Sequence, residues 1–273
     1  MFKSLVKKLM PPLIVELILK IRRINLKTPF SGVFNSFRDV PDDKLWEDIK
    51  WLDVSRKKLI RLNNNVDPNK FIPLENFYGY STIICQLVNM LSLNNPCRVL
   101  DFGGGTGFIY YSIKPYLTHF ENISWHVIDN PNITKIGSDA CSANDQISFD
   151  INIPEKTELF DIVYINTSLQ YIENYEKLLD MLLASKPKYV VLSRLLAGNI
   201  PTYITEQNIN GKRTPCVFLN INDLLQYFKK LKYELIFKST CYEENMTSYF
   251  NKNIPKSHRI TNSMNVIFAM NNT

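Results

Sequence analysis

A glycine-rich turn is the part of this 273-residue sequence whose residue types most clearly suggest chemistry. The segment 98–109 reads Arg-Val-Leu-Asp-Phe-Gly-Gly-Gly-Thr-Gly-Phe-Ile, so a short apolar run ends at Asp101 and four glycines occupy the next six positions. Glycine allows the backbone to approach a ligand closely, and a helix that begins after the turn presents free N–H groups to that ligand. This pattern predicts a site for a nucleotide-shaped cofactor.

The spacing of the glycines separates several cofactor classes. A dinucleotide fingerprint requires Gly-x-Gly-x-x-Gly, but the sixth position counted from Gly103 is Phe108. A phosphate-binding Walker loop requires Gly-Lys-Ser/Thr, and this turn contains no lysine. The turn instead reads Asp-x-Gly-x-Gly-x-Gly, formed by Asp101, Gly103, Gly105 and Gly107. A glycine-rich loop without a ligand is the alternative, but so many flexible residues would weaken such a turn.

This spacing resembles motif I of class I S-adenosylmethionine-dependent methyltransferases. The resemblance implies S-adenosyl-L-methionine as cofactor, with the turn beneath its amino-acid end and Asp101 helping to place its ammonium group. Asp129 ends a second apolar run, 22 residues after Gly107, where a carboxylate can accept both ribose hydroxyls. An aspartate after a strand can otherwise simply begin a loop. Asp150, which ends a predicted third strand, is a candidate to face the adenine amino group.

Polar residues that follow the later predicted strands are candidates to bind the methyl acceptor. In an open parallel sheet, such residues lie in the ligand crevice at the carboxyl ends of the strands. Arg194 can bind a phosphate or carboxylate there, although a surface ion pair is nearly as good an interpretation. The candidate acceptor-binding residues are Ser168, Gln170, Tyr171, Arg194 and Gln207.

The sequence defines no catalytic base with comparable clarity. Of the three histidines, only His258, between the last predicted strands, has a position from which it can approach the site. No cluster of His, Asp or Glu indicates a metal site. The five cysteines are widely spaced and odd in number, which favours a reducing compartment, and hence a cytoplasmic location, over a disulfide framework or a zinc site.

Apolar strand patterns that alternate with helical patterns predict the α/β sheet needed to position these residues. A helix and two late strands follow the fifth strand, which resembles the Rossmann-like seven-stranded class I methyltransferase sheet. That sheet is mostly parallel with an antiparallel C-terminal strand, here preceded by a helical N-terminal extension. The predicted strands are residues 98–102, 123–129, 146–150, 160–165, 189–193, 233–238 and 262–270.

Two further segments complete the predicted organisation. Residues 198–215 are predicted as a loop, and residues 42–52 as a helix, because two aspartates precede Leu45, Ile49 and Leu52 on one side. We divide the chain into a basic amphipathic leader (1–27), an N-terminal lid (28–70) and an S-adenosylmethionine-binding domain (71–273).

The net charge of +6 is concentrated in the leader. Residues 1–27 contain seven basic residues and one acidic residue, whereas the remaining chain contains 25 of each sign, which argues against a nucleic-acid-binding body. The leader is too short and too charged to span a bilayer, and it lacks the small residues of a signal-peptide cleavage site. It can lie on the inner face of an anionic membrane, or it can pack its apolar side on the domain.

Several segments together carry a closer resemblance. Residues 31–37, the glycine turn, residues 167–171 and residues 202–207 resemble a family of bacterial methyltransferases associated with O-antigen and other surface-polysaccharide loci, and Pro11-Pro12 resembles the start of that family. The resemblance implies O-methylation of a sugar or glycan precursor. Methylation of another small metabolite, or a non-catalytic binding module with the same fold, remain alternatives. The sequence indicates no oligomeric state.

Overall fold

A computed structural model describes residues 29–64, 79–141, 144–154, 160–241 and 246–271. The leader, residues 1–27, and its predicted membrane contact lie outside the described residues. The strands are β1 (Phe30–Phe34), β2 (Cys97–Phe102), β3 (Ile123–Ile128), β4 (Ile147–Asp150), β5 (Ile162–Asn166), β6 (Tyr189–Leu195), β7 (Ala197–Gly198), β8 (Tyr203–Ile209), β9 (Lys212–Asn220), β10 (Tyr233–Thr240) and β11 (Met264–Met270). The α-helices are α1 (Ile49–Asn64), α2 (Gly79–Ser92), α3 (Phe108–Ile113), α4 (Pro131–Cys141), α5 (Tyr175–Leu183) and α6 (Ile221–Lys230).

A seven-stranded sheet forms the centre of the molecule. Its strand order is β10-β11-β6-β5-β2-β3-β4, and β2 to β6 run parallel to one another. β11 is antiparallel to both β6 and β10. The predicted α/β fold, with a mostly parallel sheet and an antiparallel C-terminal strand, is therefore confirmed.

Hydrophobic clusters cover both faces of this sheet, which explains the near-continuous apolar runs of its central strands. Successive side chains point to opposite faces, so Val99 packs in the cluster that includes α2 and α3, whereas Leu100 packs in the cluster that includes α5 and α6. On the second face, Phe228 of α6 stacks on Phe268 of β11 with 3.9 Å between ring centroids.

A second sheet, with the order β1-β8-β9-β7, is formed largely by residues predicted as a loop. The loop prediction for residues 198–215 was wrong, because β8 and the first half of β9 form a hairpin there. Asn210 and Gly211 connect the two strands with φ angles of 53° and 89°. Two positive φ angles match the right-handed twist of the flanking strands, and Asn-Gly is the dipeptide that adopts them most readily.

The helix prediction for residues 42–52 was also wrong in its start. A short 3-10 turn occupies Leu45–Glu47, and α1 begins only at Ile49. The Asp48 carboxylate accepts the backbone N–H of Trp51 at 3.1 Å, so the effective helix cap lies several residues later than the aspartates Asp42 and Asp43.

The second sheet has its own hydrophobic core. Phe218 of β9 packs edge-on against Phe30 of β1, with centroids 4.9 Å apart, and stacks on Tyr203 of β8 at 5.1 Å. Phe250, from the segment between β10 and β11, joins the same cluster. This core fixes the second sheet beside the carboxyl ends of the parallel strands.

Ion pairs connect the segment that precedes α1 to the hairpin. Arg213 of β9 contacts both carboxylate oxygens of Asp43, at 3.1 and 3.2 Å, and Lys212 lies 2.9 Å from Asp48. The described part of the predicted lid, residues 29–64, thus contacts the second sheet. The division into a lid and a domain stays a prediction. None of the helices in the described ranges is long and apolar enough to cross a membrane.

Candidate cofactor and acceptor site

The glycine turn lies between β2 and α3, at the carboxyl edge of the seven-stranded sheet. Gly103 and Gly105 have φ angles of 67° and 64°, which residues with a Cβ rarely adopt. The Gly103 N–H donates to the carbonyl of Ile128 at 2.7 Å, and the Ser168 hydroxyl donates to the Gly103 carbonyl at 3.1 Å. The turn is therefore held by the ends of β3 and β5, while a Cβ on Gly105 would meet no other atom.

Asp129 follows β3 and contacts the turn directly. One carboxylate oxygen accepts the Gly105 N–H at 2.9 Å, and the other accepts the backbone N–H of Asn130 at 2.7 Å. Burial raises the pKa of Asp129, whereas these two hydrogen bonds oppose the rise. A carboxylate has about four lone-pair positions, so Asp129 keeps capacity for further donors.

Asp101, at the end of β2, is completely buried. Its Oδ2 accepts the indole N–H of Trp125 at 3.0 Å, whereas its Oδ1 has no hydrogen-bond partner among the described residues. Burial, with a smaller contribution from the Asp129 charge, raises the pKa of Asp101 to about 7. A Cβ on Gly104 would approach this carboxyl group to 2.5 Å, so glycine is required there for close packing.

Polar and aromatic side chains lie beyond the glycine turn. The Tyr171 hydroxyl donates to Gln207 Oε1 at 2.9 Å, which links the turn after β5 to β8. Burial raises the pKa of Tyr171, so its hydroxyl stays protonated and remains a donor. The ring of Trp46 packs edge-on against Tyr171 with centroids 4.7 Å apart. Gln170 is buried, and its Oε1 has no partner among the described residues.

Two non-glycine residues at the ends of neighbouring strands adopt the left-handed backbone conformation. Thr167 has φ 59° and donates its N–H to the carbonyl of Ser193 at 3.1 Å. Arg194 has φ 53° and donates its N–H to Asn265 Oδ1 at 3.0 Å. Such conformations cost about 1–3 kcal/mol each and are concentrated at functional sites.

A single cavity of about 1760 Å³ brings these groups together. Its lining includes the predicted cofactor residues Asp101, Gly103, Gly105 and Asp129, together with all five predicted acceptor residues, Ser168, Gln170, Tyr171, Arg194 and Gln207. Ligand pockets usually measure about 300–1,000 Å³. The described residues therefore enclose enough space for a cofactor and a second molecule.

Three other predicted residues are not among those that line the cavity. Gly107, with φ 80°, caps α3, and a Cβ there would meet Ile147 of β4. The exposed Asp150 carboxylate accepts the backbone N–H groups of Ile151 and Asn152, at 2.6 and 3.0 Å. The ring of His258, in a 3-10 turn before β11, packs against Tyr203 with centroids 5.0 Å apart. Among the described residues, no group of three or more His, Cys, Asp or Glu is arranged to hold a metal.

The structure also brings residues to the cavity that sequence reasoning missed. Trp46 and Trp51 line it, as do Asn208 and the Asn210–Gly211 turn of the hairpin. The Asn-Gly dipeptide was the available signal, because it predicts a hairpin whose strands must continue on both sides. Nothing local in the sequence indicated that this hairpin would lie over the carboxyl edge of the sheet.

Comparisons with known proteins define the fold. No family model matches the chain, and no curated protein matches it. A protein from Listeria monocytogenes assigned as an S-adenosylmethionine-dependent methyltransferase has a TM-score of 0.50 at 10% identity, over 70% of this chain and 98% of its own.

Two further solved structures are similar over most of the chain. The 1,6-didemethyltoxoflavin-N1-methyltransferase of Burkholderia thailandensis has a TM-score of 0.48 at 11% identity, over 89% of this chain and 93% of its own. The (4+2)-cyclase SpnF has a TM-score of 0.49 at 12% identity, over 85% and 98%. The strand order, together with the similarity to the Listeria protein, shows that the chain has the class I S-adenosylmethionine-dependent methyltransferase fold.

Proposed function

We propose that this protein is an S-adenosylmethionine-dependent methyltransferase that O-methylates a sugar or glycan precursor. The observation that carries the proposal is the glycine turn with Asp101 and Asp129 at one end of a cavity large enough for two ligands. A fold can host many activities, so the site rather than the fold supports this function.

The residues of the turn fit the cofactor. Asp101 Oδ1 is a buried acceptor without a partner among the described residues, and an ammonium group would compensate its charge. Gly105 leaves open space beside the backbone, where a side chain would obstruct a ligand. Asp129, at the end of β3, would accept the ribose hydroxyls. Predicted contacts to Gly107 and to Asp150 are less well supported, because neither residue lines the cavity.

When bound, S-adenosylmethionine supplies an electrophilic methyl group on a sulfonium. The chain's own residues then have to hold the acceptor oxygen in line with that group and exclude water from it. The second sheet and residues Trp46 and Trp51 line the cavity away from the glycine turn and would exclude water there. The Ser168 hydroxyl donates to the Gly103 carbonyl and would hold the turn after β5, which carries the acceptor residues, at a fixed distance from the glycine turn. His258 would have to move to serve as a base, since it does not line the cavity.

The sugar acceptor is supported by the character of the cavity lining. Aromatic rings such as Trp46 and Tyr171 can contact the apolar C–H face of a sugar ring, while the amides of Gln170, Gln207 and Asn208 can bind its hydroxyls. The sequence resemblance to methyltransferases of surface-polysaccharide loci points to the same class of acceptor.

Calorimetric titration with S-adenosylhomocysteine tests the cofactor site. We expect the wild-type chain to bind it and Asp129→Ala to weaken binding by about tenfold or more, because a charged hydrogen-bond acceptor is lost. Asp150→Ala is the matched control, and we expect little change because that carboxylate is exposed and does not line the cavity. Absence of wild-type binding would contradict the proposed function. An equal loss in both variants would instead indicate that Asp150 also contacts the cofactor.

A further inference from the structure

Arg194 is the only basic side chain among the described residues that line the cavity. It is the penultimate residue of β6, just before the chain enters the second sheet, and its backbone adopts the left-handed conformation. The buried Asn265 accepts its N–H at 3.0 Å and donates its own amide to Ser239 at 3.3 Å. Two strands, β10 and β11, therefore hold a cationic residue in an unfavourable backbone conformation at the cavity wall.

Gln170 provides an independent indication of a ligand. The residue is only 3% exposed, it lines the cavity, and its Oε1 has no hydrogen-bond partner among the described residues. A buried acceptor without a donor is costly, so a donor supplied by a ligand would remove that cost. A hydroxyl group of a bound molecule is such a donor.

Negative and positive side chains lie in different parts of the cavity. The two carboxylates, Asp101 and Asp129, lie at the glycine turn, where the proposed cofactor brings its ammonium and ribose groups. Arg194 instead directly follows Ser193, whose carbonyl accepts the N–H of Thr167 at 3.1 Å just before the turn that carries Gln170 and Tyr171. The cation therefore belongs to the Tyr171 side of the cavity, together with Gln170 and Trp46.

We infer that the acceptor is an acidic sugar, in which an anionic group pairs with Arg194 and a hydroxyl donates to Gln170. This inference rests on the proposed function and specifies its substrate class. Arginine presents a planar fork of donors that matches a carboxylate or a phosphate, and such bonds are stronger than neutral ones. The aromatic rings of Trp46 and Tyr171 would contact the sugar ring between these two groups.

Binding of matched sugars in the presence of saturating S-adenosylhomocysteine tests the inference. The probes are the methyl glycosides of glucose and galactose, those of glucuronic and galacturonic acid, and the 6-phosphates of both hexoses. We expect at least one acidic sugar to bind about tenfold or more tightly than its neutral counterpart, because a charged hydrogen bond is gained. Preference for the uronic acids identifies a carboxylate, and preference for the sugar phosphates identifies a phosphate.

Variants of Arg194 and Gln170 complete the test. Arg194→Asn replaces the charged side chain by a neutral one that tolerates the left-handed backbone conformation. This variant should lose most of the preference for acidic sugars. Arg194→Lys, which keeps the charge, should retain part of that preference. Gln170→Leu should weaken acidic and neutral sugars alike. Unchanged affinity for S-adenosylhomocysteine in each variant shows that the fold and the cofactor site are intact.

The outcomes distinguish this inference from the proposed function. If S-adenosylhomocysteine binds but every acidic sugar binds no more tightly than its neutral counterpart, or none binds, the inference is overturned and the cofactor assignment stands. If Arg194→Asn leaves the preference for acidic sugars unchanged, the role of Arg194 is overturned. If the wild-type chain does not bind S-adenosylhomocysteine, the proposed function fails, and the inference fails with it.

Discussion

Among single residues, Asp101 is the clearest sign of a binding site, because its carboxyl group is buried with few hydrogen-bond donors. Its carboxyl group is fully buried, yet only the Trp125 indole donates to it among the described residues. Burial and the neighbouring Asp129 raise its pKa to about 7, well above the value near 3.8 of an unperturbed aspartate. Burying a carboxyl group with so few donors costs free energy. That cost is consistent with a site in which a bound cation provides the missing partner.

The raised pKa of Asp101 predicts a pH dependence of stability. Because the folded state binds more protons than the unfolded state between about pH 4 and 7, the free energy of unfolding should fall as pH rises through that window, by at most about 1.4 kcal/mol per pH unit. Asp101→Asn should remove this component, as measured by denaturant unfolding at several pH values without ligand.

Asp150→Asn is the control for this pH series. Hydrogen bonds from the backbone N–H groups of Asn152 and Ile151 lower the pKa of Asp150, so its contribution to stability is lost only as pH falls below about 4. That substitution should leave the slope between pH 5 and 7 unchanged. Identical slopes for the wild-type chain and Asp101→Asn would show that Asp101 is not the titrating group.

At the scale of elements, the β8–β9 hairpin determines how the cavity is completed. Its Asn210–Gly211 turn and Gln207 line the cavity, and Gln207 accepts the hydroxyl of Tyr171. The Asp43–Arg213 ion pair joins the hairpin to the segment that carries Trp46 and α1. The hairpin and the N-terminal segment therefore both line the cavity and are joined to each other by this ion pair.

A charge exchange tests the connection between the hairpin and the N-terminal segment. Asp43→Arg alone should leave the global free energy of unfolding almost unchanged, because exposed ion pairs contribute little to stability. It should accelerate proteolytic cleavage within residues 40–55, because that segment is released from the hairpin. Adding Arg213→Asp should slow cleavage again by restoring opposite charges. Unchanged cleavage in the single variant would show that other contacts hold the segment.

In the molecule as a whole, each of the two sheets has its own hydrophobic core. Clusters on both faces stabilise the seven-stranded sheet, and a third cluster around Phe218 stabilises the second sheet. The cavity is lined by residues from both sheets. The glycine turn and Asp129 belong to the first sheet, whereas Gln207 and Asn208 belong to the second. The geometry of the cavity therefore depends on how the two sheets are held together.

Two phenylalanine truncations test whether the sheets unfold separately. Phe218→Ala and Phe228→Ala each remove a fully buried ring, at a cost of about 3–5 kcal/mol. Amide hydrogen exchange should show that Phe218→Ala lowers protection mainly in β1, β8 and β9, because that ring packs in the core of the second sheet. Phe228→Ala should instead lower protection in β6 and β11, because that ring packs in the core of the seven-stranded sheet. Uniform loss of protection in Phe218→Ala would show that both sheets unfold as one unit.

Local sequence patterns were sufficient to predict the glycine turn, the succession of the central strands along the chain and the position of Asp129 at the end of β3. These features follow from local spacing and from the two-residue period of buried strands, which act over a few residues. The five predicted acceptor residues reached the cavity for a similar reason, since the carboxyl ends of parallel strands meet at one edge.

Packing between distant segments, by contrast, specifies which side chains meet. Tyr171 contacts both Trp46 and Gln207, residues far apart in the chain, because the second sheet folds over the carboxyl edge. Asp150 instead accepts the backbone N–H groups that follow it, and His258 packs against the ring of Tyr203; neither residue lines the cavity. Side-chain direction depends on strand register and on packing between distant segments, and local sequence spacing does not specify either of them.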